Sequence, residues 1–123
     1  MLLLMSVNNS YSQKIDDNKL PALYNEVYLN SPYELTPSIE KKYKGYLNRV
    51  SFIVEKKKSN EQYVLLSSVS HKDKYNPNLN YDLDNFKIED FNPFKYHFNF
   101  NSTEDQIFRV DSTDFLLLIK GLN

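Results

Sequence analysis

The sequence predicts an all-β or mostly β domain, an antiparallel sandwich or curved sheet of about five or six strands with at most one short helix. Three observations carry this expectation. Phe94, Tyr96, Phe98 and Phe100 alternate with Lys95, His97, Asn99 and Asn101, the period-two pattern of a strand with one aromatic face. Residues 107–110 and 115–119 follow as apolar runs separated by the turn-formers Asp111 to Asp114, which extends that strand into a three-stranded meander. A third period-two stretch begins at Tyr46, with Val50, Phe52 and Val54 on one face.

In chain order, the first twelve residues run from the apolar stretch Met1 to Met5, with Val7, into Ser10-Tyr11-Ser12. Small residues at −3 and −1 before Gln13 form a cleavage-site pattern, so residues 1–12 are expected to be the remnant of an export signal. A first edge strand packed on the domain is the alternative. Residues 13–123 are expected to form a single β-rich domain.

Leu20, Leu23, Tyr24, Val27 and Tyr28 fall at helical spacing, yet Pro21 and the β-formers Val27 and Tyr28 balance a helix against an edge strand. The expectation is a strand near residues 25–29. Thr36 as a cap, Pro37 in the first turn and Glu40 behind them predict the one short helix, through about Tyr43, with Gly45 ending it. The strand from Tyr46 to Glu55 is expected to pair with residues 62–69 as an antiparallel hairpin, with Lys56-Lys57-Lys58 at its solvated tip.

Composition narrows the function classes. Fifteen basic and sixteen acidic residues give a formal charge of −1, so no global field draws in nucleic acid or an anionic membrane. Only Arg49 and Arg109 are arginines, which leaves little bidentate phosphate or guanine recognition. The absence of cysteine excludes disulfides, thiolate metal sites, cysteine nucleophiles and a lipidated N-terminal cysteine. With only Gly45 and Gly121, neither a dinucleotide fingerprint nor a phosphate loop can be written, and no cofactor is expected. No stretch approaches the roughly 18 apolar residues of a membrane span, so no membrane insertion is expected.

Matching faces set a register for the meander: Phe98 opposite Phe108, Tyr96 opposite Val110, Val110 opposite Phe115 and Phe108 opposite Leu117. The same register puts His97 beside Arg109 and Arg109 beside Leu116 on the other face. A histidine beside an arginine could hold a carboxylate or phosphate group, and this pair is the first candidate binding site. Ile107, Leu116 and Leu118 on that face need cover from a loop, the N-terminal segment or a partner chain.

The irregular stretch from His71 to Asn92 supplies two further binding candidates, His71 and Tyr75. No serine or cysteine motif accompanies His71 to make it a general base. Asp82, Asp84 and Asp90 lack the glycine and glutamate of a calcium loop, so no metal site is expected. Ten tyrosines could offer stacking faces to sugars, although no tryptophan accompanies them.

Lys74-Tyr75-Asn76-Pro77, Phe91-Asn92-Pro93-Phe94-Lys95-Tyr96, Phe98-Asn99-Phe100 and Arg109-Val110-Asp111-Ser112-Thr113-Asp114-Phe115 resemble segments of a group of small exported proteins from flavobacteria-like bacteria. The run Asn9-Ser10-Tyr11-Ser12-Gln13 is similar to signal-peptide ends of the same bacteria. The shared residues are turn-formers and core aromatics, so the resemblance implies a shared fold and export and supplies no catalytic residues. The expectation is a non-enzymatic domain, periplasmic or extracellular, that binds a protein or glycan partner at the cell envelope. The alternatives are a cell-wall or glycan hydrolase with a carboxylate pair, and a structural accessory or inhibitor subunit.

Overall fold

A computed structural model describes residues 12–122. The expected leader, residues 1–12, therefore lies outside the described residues except for Ser12, which is exposed just ahead of the first strand. Among the described residues the chain forms β1 (Gln13–Lys14), α1 (Leu20–Val27), α2 (Pro37–Asn48), β2 (Val50–Val54), β3 (Val64–Leu65), β4 (Gln106–Arg109) and β5 (Phe115–Ile119). The strands make one five-stranded sheet in the order β1-β2-β5-β4-β3.

The domain is β-rich as expected, with two corrections. The sheet is mixed, because β3 runs parallel to β4 while all other neighbours are antiparallel. There are two helices where at most one was expected. Residues 25–29, expected as a strand, are the end of α1 and the turn after it. Burying Leu20, Tyr24 and Val27 on one helical stripe outweighs the local β preference of Val27 and Tyr28.

In α2 the Thr36 hydroxyl accepts the Ile39 N–H at 3.2 Å and Pro37 occupies the first turn, as the sequence predicts. The helix does not stop at Gly45. It runs on to Asn48, placing Leu47 in the core and taking Tyr46 out of the expected strand.

The central pair is β2 with β5, in the register Val50 to Ile119 through Val54 to Phe115. The expected pairing of β2 with residues 62–69 does not occur. Residues 55–63 instead cross the outer face of the sheet, and β3 joins the far edge beside β4. Arg109 fixes this crossover: wholly buried, it donates to the Glu55 carbonyl at 2.7 Å and forms an ion pair with Glu61.

The β4–β5 half of the meander matches expectation, including Phe108 opposite Leu117 and Arg109 opposite Leu116. Its turn holds Ser112 at φ 59°, and Val110 N–H donates to the Phe115 carbonyl at 3.0 Å. The aromatic segment before it is not the third ladder strand. Pro93–Lys95 form a 3-10 turn, and the following residues bond to the chain at 70–72, with one bridge between His71 and Tyr96.

Phe94, Tyr96 and Phe98 are nonetheless all buried, and Phe100 packs partly buried beside them. The alternation reflects an extended segment laid over the sheet rather than one hydrogen-bonded into it. Phe98 reaches its expected partner Phe108 by ring packing, at 5.2 Å between centroids. Together with Leu20, Leu47, Leu66, Ile88 and Phe91 these rings cover Val50, Phe52, Leu117 and Ile119 on the inner face.

Candidate functional site

Tyr24 and Tyr28 stand four residues apart at the end of α1, so both lie on one helical face, and their rings stack at 4.5 Å. Tyr43, from the middle of α2, meets Tyr24 edge-on at 5.1 Å and Tyr28 at 6.2 Å. The segment after His71 closes the third side. It is tied to α1 by Asn76, whose side chain donates to the Glu26 carbonyl at 2.8 Å, and by Asn30 N–H to the Tyr75 carbonyl at 3.3 Å.

These elements enclose an open cleft of about 500 Å³, walled by tyrosines and carrying Lys42, Lys72, Lys74, His71 and His97. Asp73 is the one carboxylate among its lining residues. Tyr33 and Tyr75 form an outer corner, with ring planes at 88° and centroids 6.2 Å apart.

At the cleft floor Tyr28 and Tyr43 share a hydrogen bond of 3.0 Å between hydroxyls, and the Lys72 ammonium donates to the Tyr28 hydroxyl at 3.0 Å. Burial, and then the bond to Tyr28, pushes the Tyr43 phenol up to about 12. Burial likewise raises Tyr28 and Tyr24. Their hydroxyls therefore stay protonated at neutral pH, serving as fixed hydrogen-bonding groups rather than as phenolate bases.

Three of the four binding candidates converge here, because His71, Tyr75 and His97 all line the cleft. His71 is held flat against Tyr81, 3.5 Å between ring centroids and 2° between planes, and is exposed on its other side. His97 is exposed, between the inward-pointing Tyr96 and Phe98.

Arg109 is the correction. It is not beside His97, because its segment pairs elsewhere and its guanidinium is occupied by Glu61 and backbone carbonyls beneath the crossover. Lys72 and the tyrosines of α1 and α2 were missed as site residues. The four-residue spacing of Tyr24 and Tyr28 was the available signal, obscured by reading residues 25–29 as a strand.

The aspartates of the 80–84 stretch build local turns: Asn80 caps the Asp82 N–H at 2.9 Å and Asp82 caps the Asp84 N–H at 2.9 Å. Among the described residues no group of three His, Asp or Glu side chains is placed to hold a metal ion. Also among them, no helix is long and apolar enough to cross a membrane. No protein-family model, curated protein or solved structure matches the chain, so the cleft's geometry stands by itself as the guide to function.

Proposed function

We propose that this is a non-enzymatic binding domain, exported to the periplasm or beyond the cell, whose tyrosine-walled cleft holds a segment of a protein or glycan partner. One observation carries the reading: two helices, the 71–75 segment and the segment carrying His97 bring tyrosine faces, lysines and both histidines to a single open cleft. Its size falls in the range typical of ligand sites, which combine apolar walls with a few orienting polar groups. The alternative of glycan hydrolysis needs two carboxylates flanking a bond, and the cleft offers Asp73 alone among its lining residues.

The test is binding with soluble glycan and peptide panels, read by backbone chemical shifts and by product analysis of the same mixtures. The expected result is a ligand that perturbs residues 71–75 and the cleft face of α2, binds at least about tenfold more weakly to Tyr75→Ala, and is recovered intact. Perturbation confined to other surfaces, or cleavage of the bound ligand, would overturn the reading.

A further inference from the structure

Resting on that reading, we infer that the occupant of the cleft is an anionic saccharide segment, a sugar chain bearing carboxylate or acidic ester groups. The charge argument comes first. A chain with a formal charge of −1 places three lysines and two histidines around one cleft against the single carboxylate of Asp73. The two arginines are absent from its lining: Arg49 donates to the carbonyls of Lys120 and Phe100, and Arg109 is buried beneath the crossover. The cations are therefore the lysine ammonium groups, which attract acidic groups without demanding the planar two-point geometry of a guanidinium, and the two histidines beside them add ring nitrogens for hydrogen bonding.

The shape argument separates a sugar from an acidic peptide. A peptide that binds by strand addition needs an exposed strand edge, and no strand of the sheet lines this cleft; its lining comes from α1 and the turn after it, Tyr33, α2, the 71–75 segment and His97. The backbone at 71 and 72 is already engaged, by the bridge of His71 to Tyr96 and by Lys72 N–H to the Lys95 carbonyl at 2.6 Å. What the cleft presents instead is ring surface. Tyr33 is 59% exposed and stands perpendicular to Tyr75, so a flat ring can lie on one tyrosine with its edge against the other.

Cations lie over two of the cleft's rings, Tyr75 at that corner and Tyr28. Lys74 Nζ lies 5.3 Å from the Tyr75 ring centre and Lys72 Nζ 5.6 Å from that of Tyr28. A sugar ring stacked on Tyr33 at this corner sets a ring carboxylate or ester toward the Lys74 ammonium, and Lys72, over Tyr28, is the cation for the part of the sugar chain that lies further into the cleft.

The experiment uses the full chain and four probes: a hexuronic acid oligomer, the neutral hexose oligomer of the same linkage, a sulfated form of that neutral oligomer, and polyglutamate. Calorimetry gives affinity and chemical-shift mapping gives the site. The expected result is that the uronic acid oligomer maps to the cleft and binds at least about tenfold tighter than the neutral oligomer. The difference should shrink with added salt and in Lys72→Gln with Lys74→Gln. Binding of the sulfated oligomer equal to that of the uronic acid assigns recognition to charge, and weaker binding assigns it to the carboxylate; both support the inference. Neutral oligomer binding as tightly, or polyglutamate mapping to the cleft with equal affinity, overturns the anionic saccharide and leaves the binding reading intact. If none of the four maps to the cleft, the anionic saccharide is overturned, and the binding reading then rests on the wider panels.

Discussion

Arg109 and Glu61 meet through two parallel hydrogen bonds, Nε to Oε2 at 2.7 Å and Nη2 to Oε1 at 2.6 Å, with the arginine side chain fully buried. The pair holds the 55–63 crossover against the outer face of the sheet, and Tyr63 covers the guanidinium at 5.8 Å. The hydrogen bonds from Arg109 hold the Glu61 carboxyl below its ordinary 4.5. A carboxyl lowered by folding contributes stability above its unfolded value, and that contribution is lost as pH falls through the folded one.

Acid unfolding should therefore depend on this pair. The wild-type melting temperature is expected to drop as pH falls below about 4.5. Glu61→Gln should melt lower at pH 7 and show a shallower acid dependence. Arg109→Ala should be the more disruptive change, because it strands the carbonyl of Glu55 together with the carboxylate. Melting curves from pH 3 to 7 check this, and parallel acid profiles for wild type and Glu61→Gln would refute it.

At alkaline pH the tyrosines should divide. Burial pushes both Tyr43 and Tyr96 up to about 12. Groups raised above their unfolded value of 10.0 contribute stability that is present below pH 10 and is lost as pH rises toward 12. Phenolate absorbance should rise first from the exposed tyrosines, with the buried fraction appearing only near 12 or on unfolding. Tyr43→Phe, which deletes the bond to Tyr28, should cost about 0.5–1.5 kcal/mol at neutral pH.

The two glycines should respond oppositely to alanine. A Cβ at Gly45 meets nothing within 4 Å, and the residue is exposed inside α2, so Gly45→Ala should stabilise by about 0.5–1 kcal/mol. A Cβ at Gly121 would lie 2.3 Å from the Thr103 carbonyl oxygen. Gly121→Ala should cost about 1–3 kcal/mol, and denaturant titration of both variants measures the contrast.

Asn92 is 1% exposed and works in three directions. Its amide donates to the Leu23 carbonyl at 2.9 Å and to Glu26 Oε1 at 2.8 Å, while its oxygen accepts the Phe94 N–H at 3.0 Å. Asn92→Ala should cost about 1–3 kcal/mol through the groups left unpaired. Asn92→Asp should be worse, since it sets a carboxylate against a carbonyl and Glu26. Equal stability of the two variants would sink this account.

How much of this was legible in the sequence depends on which force wrote each element. The turn around Ser112 and the strands beside it follow from local turn chemistry and period-two burial, and both were readable. So was the Thr36 cap. The inward direction of Phe94, Tyr96 and Phe98 was readable as well, but their hydrogen-bond partners were not, because alternation records which side is dry and says nothing about where the N–H groups go. The pairing of β2 with β5 is set by contacts remote in sequence, and a nearer apolar run, residues 62–69, offered a competing local partner. Within the cleft, His71, Tyr75 and His97 were nameable as candidates and α2 was readable as far as Tyr43, whereas their convergence required α1, against which Val27 and Tyr28 spoke locally.

The pairing of β2 with β5 also fixes an order of events. Val50 finds its β5 neighbour only at Ile119, and Val54 only at Phe115, so closing the centre of the sheet means first closing a loop of about half the chain, an entropic toll that slows the search. Residues 115–119 pair with β2 on one side and β4 on the other, so the sheet has no middle until the last strand is in place.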